Sequence, residues 1–175
     1  MRRTFAVALG MSLLAGLAVP ALAQFAQTTR VNVPPAYATG FALYDKVDKP
    51  DRKIVRFLYL SPNAAGLRDA GRPLPDGTVI VMEDHAAETD AADNVVTAAD
   101  GRLVATSRIT AIAVMEKRVG WGATVPEAIR NGDWDYGAFD GSGQRRAVPT
   151  EACFACHKPH GARDFTFSTL TRPID

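Results

Sequence analysis

Phe41-Ala42-Leu43-Tyr44-Asp45-Lys46-Val47 and Ile54-Val55-Arg56-Phe57-Leu58-Tyr59-Leu60 are both rich in aromatic and β-branched residues, and they flank the turn segment Lys49-Pro50-Asp51-Arg52. Two such runs around a proline-containing turn predict strand, turn, strand. The pattern continues downstream. Pro75-Asp76-Gly77 is a turn that starts a third strand at Thr78–Asp84, and the polar, alanine-rich stretch to about Asp100-Gly101 predicts a surface loop. Ile109–Met115 is a long apolar run that predicts a further strand, though periodicity alone does not separate it from a buried helix. Trp134–Asp140 alternates aromatic and small residues into the turn Asp140-Gly141-Ser142-Gly143. Between these, Ser61 as N-cap, Pro62 at the first helical position and Gly71 as terminator predict a short helix over 62–70. Four or five strands with short flanking helices make an antiparallel α+β domain, with the last helical turn near the C-terminus.

Upstream, residues 24–36 are polar and end in Pro34-Pro35, which predicts an extended lead-in with little structure of its own. The first 23 residues have the three parts of a secretory signal: Arg2-Arg3, the apolar run Ala6–Val19, and the small-residue cleavage site Pro20-Ala21-Leu22-Ala23. The competing reading is a retained anchor, for which the run is shorter than the roughly 20 apolar residues a spanning helix needs. The expected organisation is therefore a signal peptide over 1–23, the lead-in over 24–36 and one domain over 37–175. Export to a bacterial periplasm follows, with no membrane attachment after cleavage.

The whole chain carries 20 basic and 19 acidic residues, 47% hydrophobic and 22% charged, the balance of an ordinary globular domain. No basic excess is available to neutralise phosphates, so nucleic-acid binding is not expected. Two cysteines in 175 residues do not form a disulfide framework, and their meaning depends on where they sit.

They sit in Cys153-Phe154-Ala155-Cys156-His157, the C-x-x-C-H pattern of c-type haem attachment. Residues three apart share one face of a helix, so both thiols can reach the two vinyl groups of a single porphyrin, and the next residue, His157, is placed to ligate iron. Thr150 is a candidate N-cap for this turn. A redox dithiol would sit nearer the start of a thioredoxin-like domain. A zinc site of Cys153, Cys156, His157 and His160 would lack the usual separation of its ligand pairs. A disulfide across two residues would be strained and close almost no loop. Export favours haem c, covalently attached, as the cofactor, with His157 as the metal ligand. The sixth iron position then decides between an electron carrier and a ligand binder. Met82, Met115 and His85 are the side chains available for it; core filling is the alternative for Met115, and solvation is that for His85 and His160.

The sequence resembles the cytochrome P-460 family, which includes cytochrome c′-beta. The likeness spans roughly residues 37–170 and is carried by Pro149-Thr150-Glu151-Ala152-Cys153-Phe154-Ala155-Cys156-His157-Lys158-Pro159, by Asp164-Phe165-Thr166-Phe167 and by Arg72-Pro73-Leu74-Pro75-Asp76-Gly77-Thr78-Val79. The resemblance implies an antiparallel sheet with flanking helices, a homodimer, and a c-type haem with histidine on one side and an open, partly apolar pocket on the other. It implies too that hydroxylamine-oxidising members link a lysine to the porphyrin, whereas nitric-oxide-binding members do not. The lysine position corresponds here to Met82, whose thioether cannot act as the amine nucleophile. A distal arginine of the family corresponds to Arg56, for which a water-facing edge and a partnered, buried guanidinium are both open. Phe57 is expected with Arg56 and Met82 on the distal side. Before the haem motif, Arg145-Arg146-Ala147-Val148 offers no pocket carboxylate, and Glu83 falls on the opposite strand face from Met82.

The expected function is a five-coordinate haem protein that binds or redox-processes a small nitrogen-oxide ligand of the nitric oxide or hydroxylamine class, served by a periplasmic redox partner. An electron-transfer cytochrome with a Met or His sixth ligand is the alternative. A haem oxidoreductase acting on hydroxylamine or peroxide without the lysine bond is a third.

Overall fold

The computed structural model describes residues 29–65 and 72–167. Five strands, β1 (Ala42–Lys49), β2 (Ile54–Leu60), β3 (Val79–Ala87), β4 (Ala105–Lys117) and β5 (Trp134–Asp140), form one antiparallel sheet in the order β1-β2-β3-β4-β5. Each strand therefore pairs with its neighbour in the chain, the simplest way for short connections to build a sheet. Two short helices flank it, α1 (Tyr37–Gly40) and α2 (Glu151–His157), the latter carrying the C-x-x-C-H motif. The α+β class expected from the sequence is the one observed. Ile109–Met115 lies inside β4 and is strand, not buried helix.

The predicted first hairpin forms, with a single 3-10 turn at Pro50–Arg52 and Lys53 in left-handed geometry at φ 50°. In register, Arg56 faces Asp84 and Leu58 faces Met82 across β2 and β3. Pro75–Thr78 is the expected turn: Gly77 has φ 76°, a conformation glycine adopts without steric cost, and the Thr78 amide bonds the Pro75 carbonyl. The polar excursion after β3 is more ordered than a plain loop, because isolated bridges pair Thr89 with Val95 and Thr97 with Leu103.

The predicted helix over 62–70 is described only in its first residues, which form a turn; 66–71 lie outside the described residues, as do the signal segment and the lead-in before residue 29. Ser61 does not act as a helix cap. Its hydroxyl contacts Asn63 and accepts the Val79 amide at 2.9 Å, so it ties the end of β2 to the start of β3. Thr150 occupies the N-cap position of α2, but its side chain makes no capping bond.

Strand alternation divides the apolar residues between the two faces. Tyr44, Leu60, Ile80, Met115, Trp134 and Tyr136 pack with Phe154 of α2 on one face. Tyr59, Val79, Val81, Ile112, Val114 and Phe139 pack on the other with Val31 and Tyr37. The described part of the lead-in, from residue 29, is tied to the sheet. Val31 is wholly buried, Arg30 pairs with Asp135, and Arg145 donates to the Val31 carbonyl while its guanidinium lies over Phe139.

Candidate functional site

Between α2 and the first sheet face lies a cavity of about 570 Å³, within the range of small-molecule and cofactor sites. α2 and the segment after it supply Cys153, Cys156, His157, Thr166 and Phe167; the sheet supplies Arg56, Leu58, Ile80, Met82, Ala113 and Met115, with Lys49 from the end of β1. Every cofactor residue expected from the motif, and both distal candidates, therefore line one space.

His157 is prepared as a ligand by its hydrogen bond. Its Nδ1 lies 2.7 Å from the Phe165 carbonyl. A carbonyl only accepts, so Nδ1 carries the proton and the neutral ring has its lone pair on Nε2. Burial pushes the imidazole pKa below its ordinary value, against a smaller opposing effect of that bond, which favours the neutral, ligating form. Tyr136 and Phe167 hold the ring, with centroids at 4.8 and 4.7 Å. Both cysteines are free, and burial raises the Cys153 thiol above its usual pKa. A disulfide is therefore not present. No cluster of three or more His, Cys, Asp or Glu side chains suited to a metal ion occurs among the described residues, so Cys153, Cys156, His157 and His160 are not gathered as four ligands here. Two free thiols three residues apart on one helix, an imidazole with Nε2 unspent and a largely apolar cavity beside them match the donor set of a c-type haem.

Arg56 resolves to the partnered alternative. Its strand is interior, and its side chain is 22% exposed. Nε and Nη2 donate to the two carboxylate oxygens of Asp84 at 2.7 and 3.0 Å, a fork geometry, and Nη1 has no hydrogen-bond partner among the described residues. Asp84 is 3% exposed and also lies 3.7 Å from Arg52. Alternation places Glu83 on the far face, as expected. The carboxylate on the same face as Met82 is the next residue, Asp84, which the sequence reading passed over although the two-residue period marks it.

Two expectations are corrected by the same alternation. Phe57 does not line the cavity: it belongs to the far face and stacks on His85 with centroids 4.3 Å apart. His85 is not a solvated residue, nor a neighbour of the cavity. Its Nε2 lies 2.7 Å from Glu83 and its Nδ1 3.0 Å from the Thr106 carbonyl, within a buried group that includes Tyr37 and Tyr59. Of the three sixth-ligand candidates, only Met82 and Met115 line the cavity. Lys49, not singled out from the sequence, is the one lysine among the lining residues.

No helix among the described residues is long and apolar enough to cross a membrane. No curated protein matches the chain. Among protein-family models, that of cytochrome P460 matches residues 34–168, from the proline pair of the lead-in through α2 and the Asp164-Phe165-Thr166-Phe167 segment. The chain belongs to the cytochrome P460 family and, by that membership, is a haem-binding cytochrome.

Proposed function

We propose that this protein is an exported, periplasmic c-type haem protein, working as a homodimer, whose iron takes one protein ligand and which binds or redox-processes a small nitrogen-oxide ligand of the nitric oxide or hydroxylamine class. Cys153 and Cys156 would hold the haem through thioethers and His157 would ligate its iron. When bound, the haem supplies a redox-active iron able to take an exogenous axial ligand. The observation that carries this reading is that His157 and Arg56 line one cavity, with His157 Nε2 and Arg56 Nη1 unpartnered among the described residues and no second histidine among the described lining residues.

Each residue has a distinct task. The Phe165 carbonyl holds the His157 proton on Nδ1 and so keeps Nε2 available. Asp84 fixes the Arg56 guanidinium, and Arg56 offers N–H donors to a polar ligand in largely apolar surroundings. Leu58, Ile80, Ala113 and Met115 give the cavity its apolar wall. Met82 in the lysine position favours ligand binding without a lysine–porphyrin bond.

Optical spectra of the ferric and ferrous protein, with and without carbon monoxide or nitric oxide, test the reading. A high-spin ferrous form that takes either gas is expected. A low-spin ferrous form indifferent to carbon monoxide would replace it with an electron carrier ligated by Met82 or Met115. Haem is expected to stay with the chain through acid-acetone extraction, and Cys153→Ala or Cys156→Ala to leave one thioether and a weakly held haem. Release of haem from wild-type protein matured with the c-type assembly machinery would refute covalent attachment.

A further inference from the structure

Two of the sequence segments quoted above, Arg72–Val79 and Asp164–Phe167, meet at one point. Asp164 Oδ2 accepts the Leu74 amide at 2.8 Å and Lys117 Nζ at 2.8 Å, and the same Nζ donates to the Leu74 carbonyl at 2.8 Å. The ion pair is largely buried, with both side chains under 15% exposed. It joins the end of β4, the approach to β3 and the segment after α2.

Immediately after it the backbone is strained. Asp164 and Phe165 both adopt positive φ, 49° and 62°, a region that a bulky residue such as phenylalanine rarely occupies. Such geometry persists where surrounding contacts over-determine it. Those contacts are present: the Phe165 amide bonds the His160 carbonyl at 2.9 Å, its ring faces Gly132 and Gly161, and Asp164 is clamped by Lys117 and Leu74. The product of the strained turn is the direction of one carbonyl, that of Phe165, which receives His157 Nδ1–H.

We infer that Asp164 and Lys117 are positioning residues for the haem ligand: their ion pair holds the left-handed turn at 164–165 so that the Phe165 carbonyl stays bonded to His157. This rests on the reading of His157 as the iron ligand. An N–H bonded to a carbonyl makes the imidazole a stronger donor to iron, so loosening the turn weakens the donor. A weaker donor stabilises ferric iron less and raises the reduction potential.

The test uses the full chain with haem attached and compares wild type with Asp164→Asn, Lys117→Met and Lys117→Arg. Resonance Raman spectra of the ferrous forms are expected to place the iron–histidine stretch of Asp164→Asn and Lys117→Met below the wild-type frequency. Their midpoint potentials are expected to rise, while Lys117→Arg, which keeps the ion pair, returns both readouts toward wild type. If Asp164→Asn fails to accumulate, Lys117→Met decides alone, since it keeps an unbranched apolar side chain beside its register partner Trp134. Variants that unfold at lower temperature but keep the wild-type stretch and potential would reduce the ion pair to a structural clip and overturn the inference, leaving the ligand assignment standing. A wild-type ferrous protein that is high-spin and holds haem but shows no iron–histidine stretch would overturn the assignment of His157 itself and the inference with it; a low-spin form leaves the midpoint potentials as the deciding readout.

Discussion

Arg56 shows how one residue can be ambiguous in sequence and plain in three dimensions. A guanidinium among Ile54, Val55, Phe57 and Leu58 is costly to bury unless paired, and Asp84 directly opposite it in register supplies the pair. If its unspent donors hold the bound ligand, Arg56→Ala is expected to remove about 1–2 kcal/mol of that hold, roughly 5–30-fold in nitric oxide dissociation rate by stopped-flow spectroscopy. An unchanged rate would place the ligand away from Arg56. Met82 is the second residue with a sharp test. Wild-type protein is expected to have an intact mass equal to chain plus haem and an ordinary c-type spectrum. Met82→Lys exposed to peroxide is then expected to gain a red-shifted Soret band from a new lysine–porphyrin bond. A red-shifted band already present in wild type would point to Lys49, which lines the same cavity.

At the scale of elements, the β1–β2 hairpin is tied to the excursion between β3 and β4 by Asp48. Its carboxylate accepts Arg102 Nε at 2.7 Å, Arg102 Nη2 at 3.1 Å and the Leu103 amide at 3.1 Å. The Arg102 hydrogen bond is the main cause of a pKa below the ordinary carboxylate value. A depressed folded-state pKa stabilises the protein above the unfolded value, and this contribution is lost as pH falls through the folded one. Asp48→Asn is therefore expected to cost about 0.5–1 kcal/mol at neutral pH, a modest figure because Arg102 is half exposed. In urea melts the gap between variant and wild type is expected to close below about pH 4. A gap that persists there would mean that geometry at Asp48, and not its charge, is what matters. The strands themselves were legible because period-two alternation is a local property. The capping roles expected of Ser61 and Thr150 were not, since a hydroxyl's partner depends on which distant amide comes nearest, and for Ser61 that was Val79.

For the molecule as a whole, the two faces of the sheet have separable duties. The cavity lined by the C-x-x-C-H motif occupies one; on the other, Val31 of the lead-in is wholly buried with Tyr59, Val81, Val114 and Phe139. Val31→Ala is expected to destabilise the fold by about 2 kcal/mol through lost burial and the cavity left behind, measured by denaturant unfolding. The haem spectrum and carbon monoxide binding are expected to stay as in wild type. A changed spectrum would show that the far face communicates with the site through the sheet.

The sequence by itself determined the cofactor motif, the strands other than Ile109–Met115, which it left between strand and buried helix, and the face on which Glu83 could not serve, because each follows from spacing along the chain: three residues for two thiols on one helical turn, two residues for one side of a strand. What only the tertiary structure decided depends on residues far apart in the chain. Phe57 and His85 are not in that class: the same two-residue period puts Phe57 opposite Arg56 and His85 with Glu83 on the far face, so their placement was legible and was passed over. Asp84 became the partner of Arg56 through the β2–β3 register, Val31 became core through a contact with strands up to about a hundred residues away, and His157 acquired its tautomer from Phe165 through a turn clamped by Lys117. Local patterns set which elements form. Register and long-range packing set which charges meet.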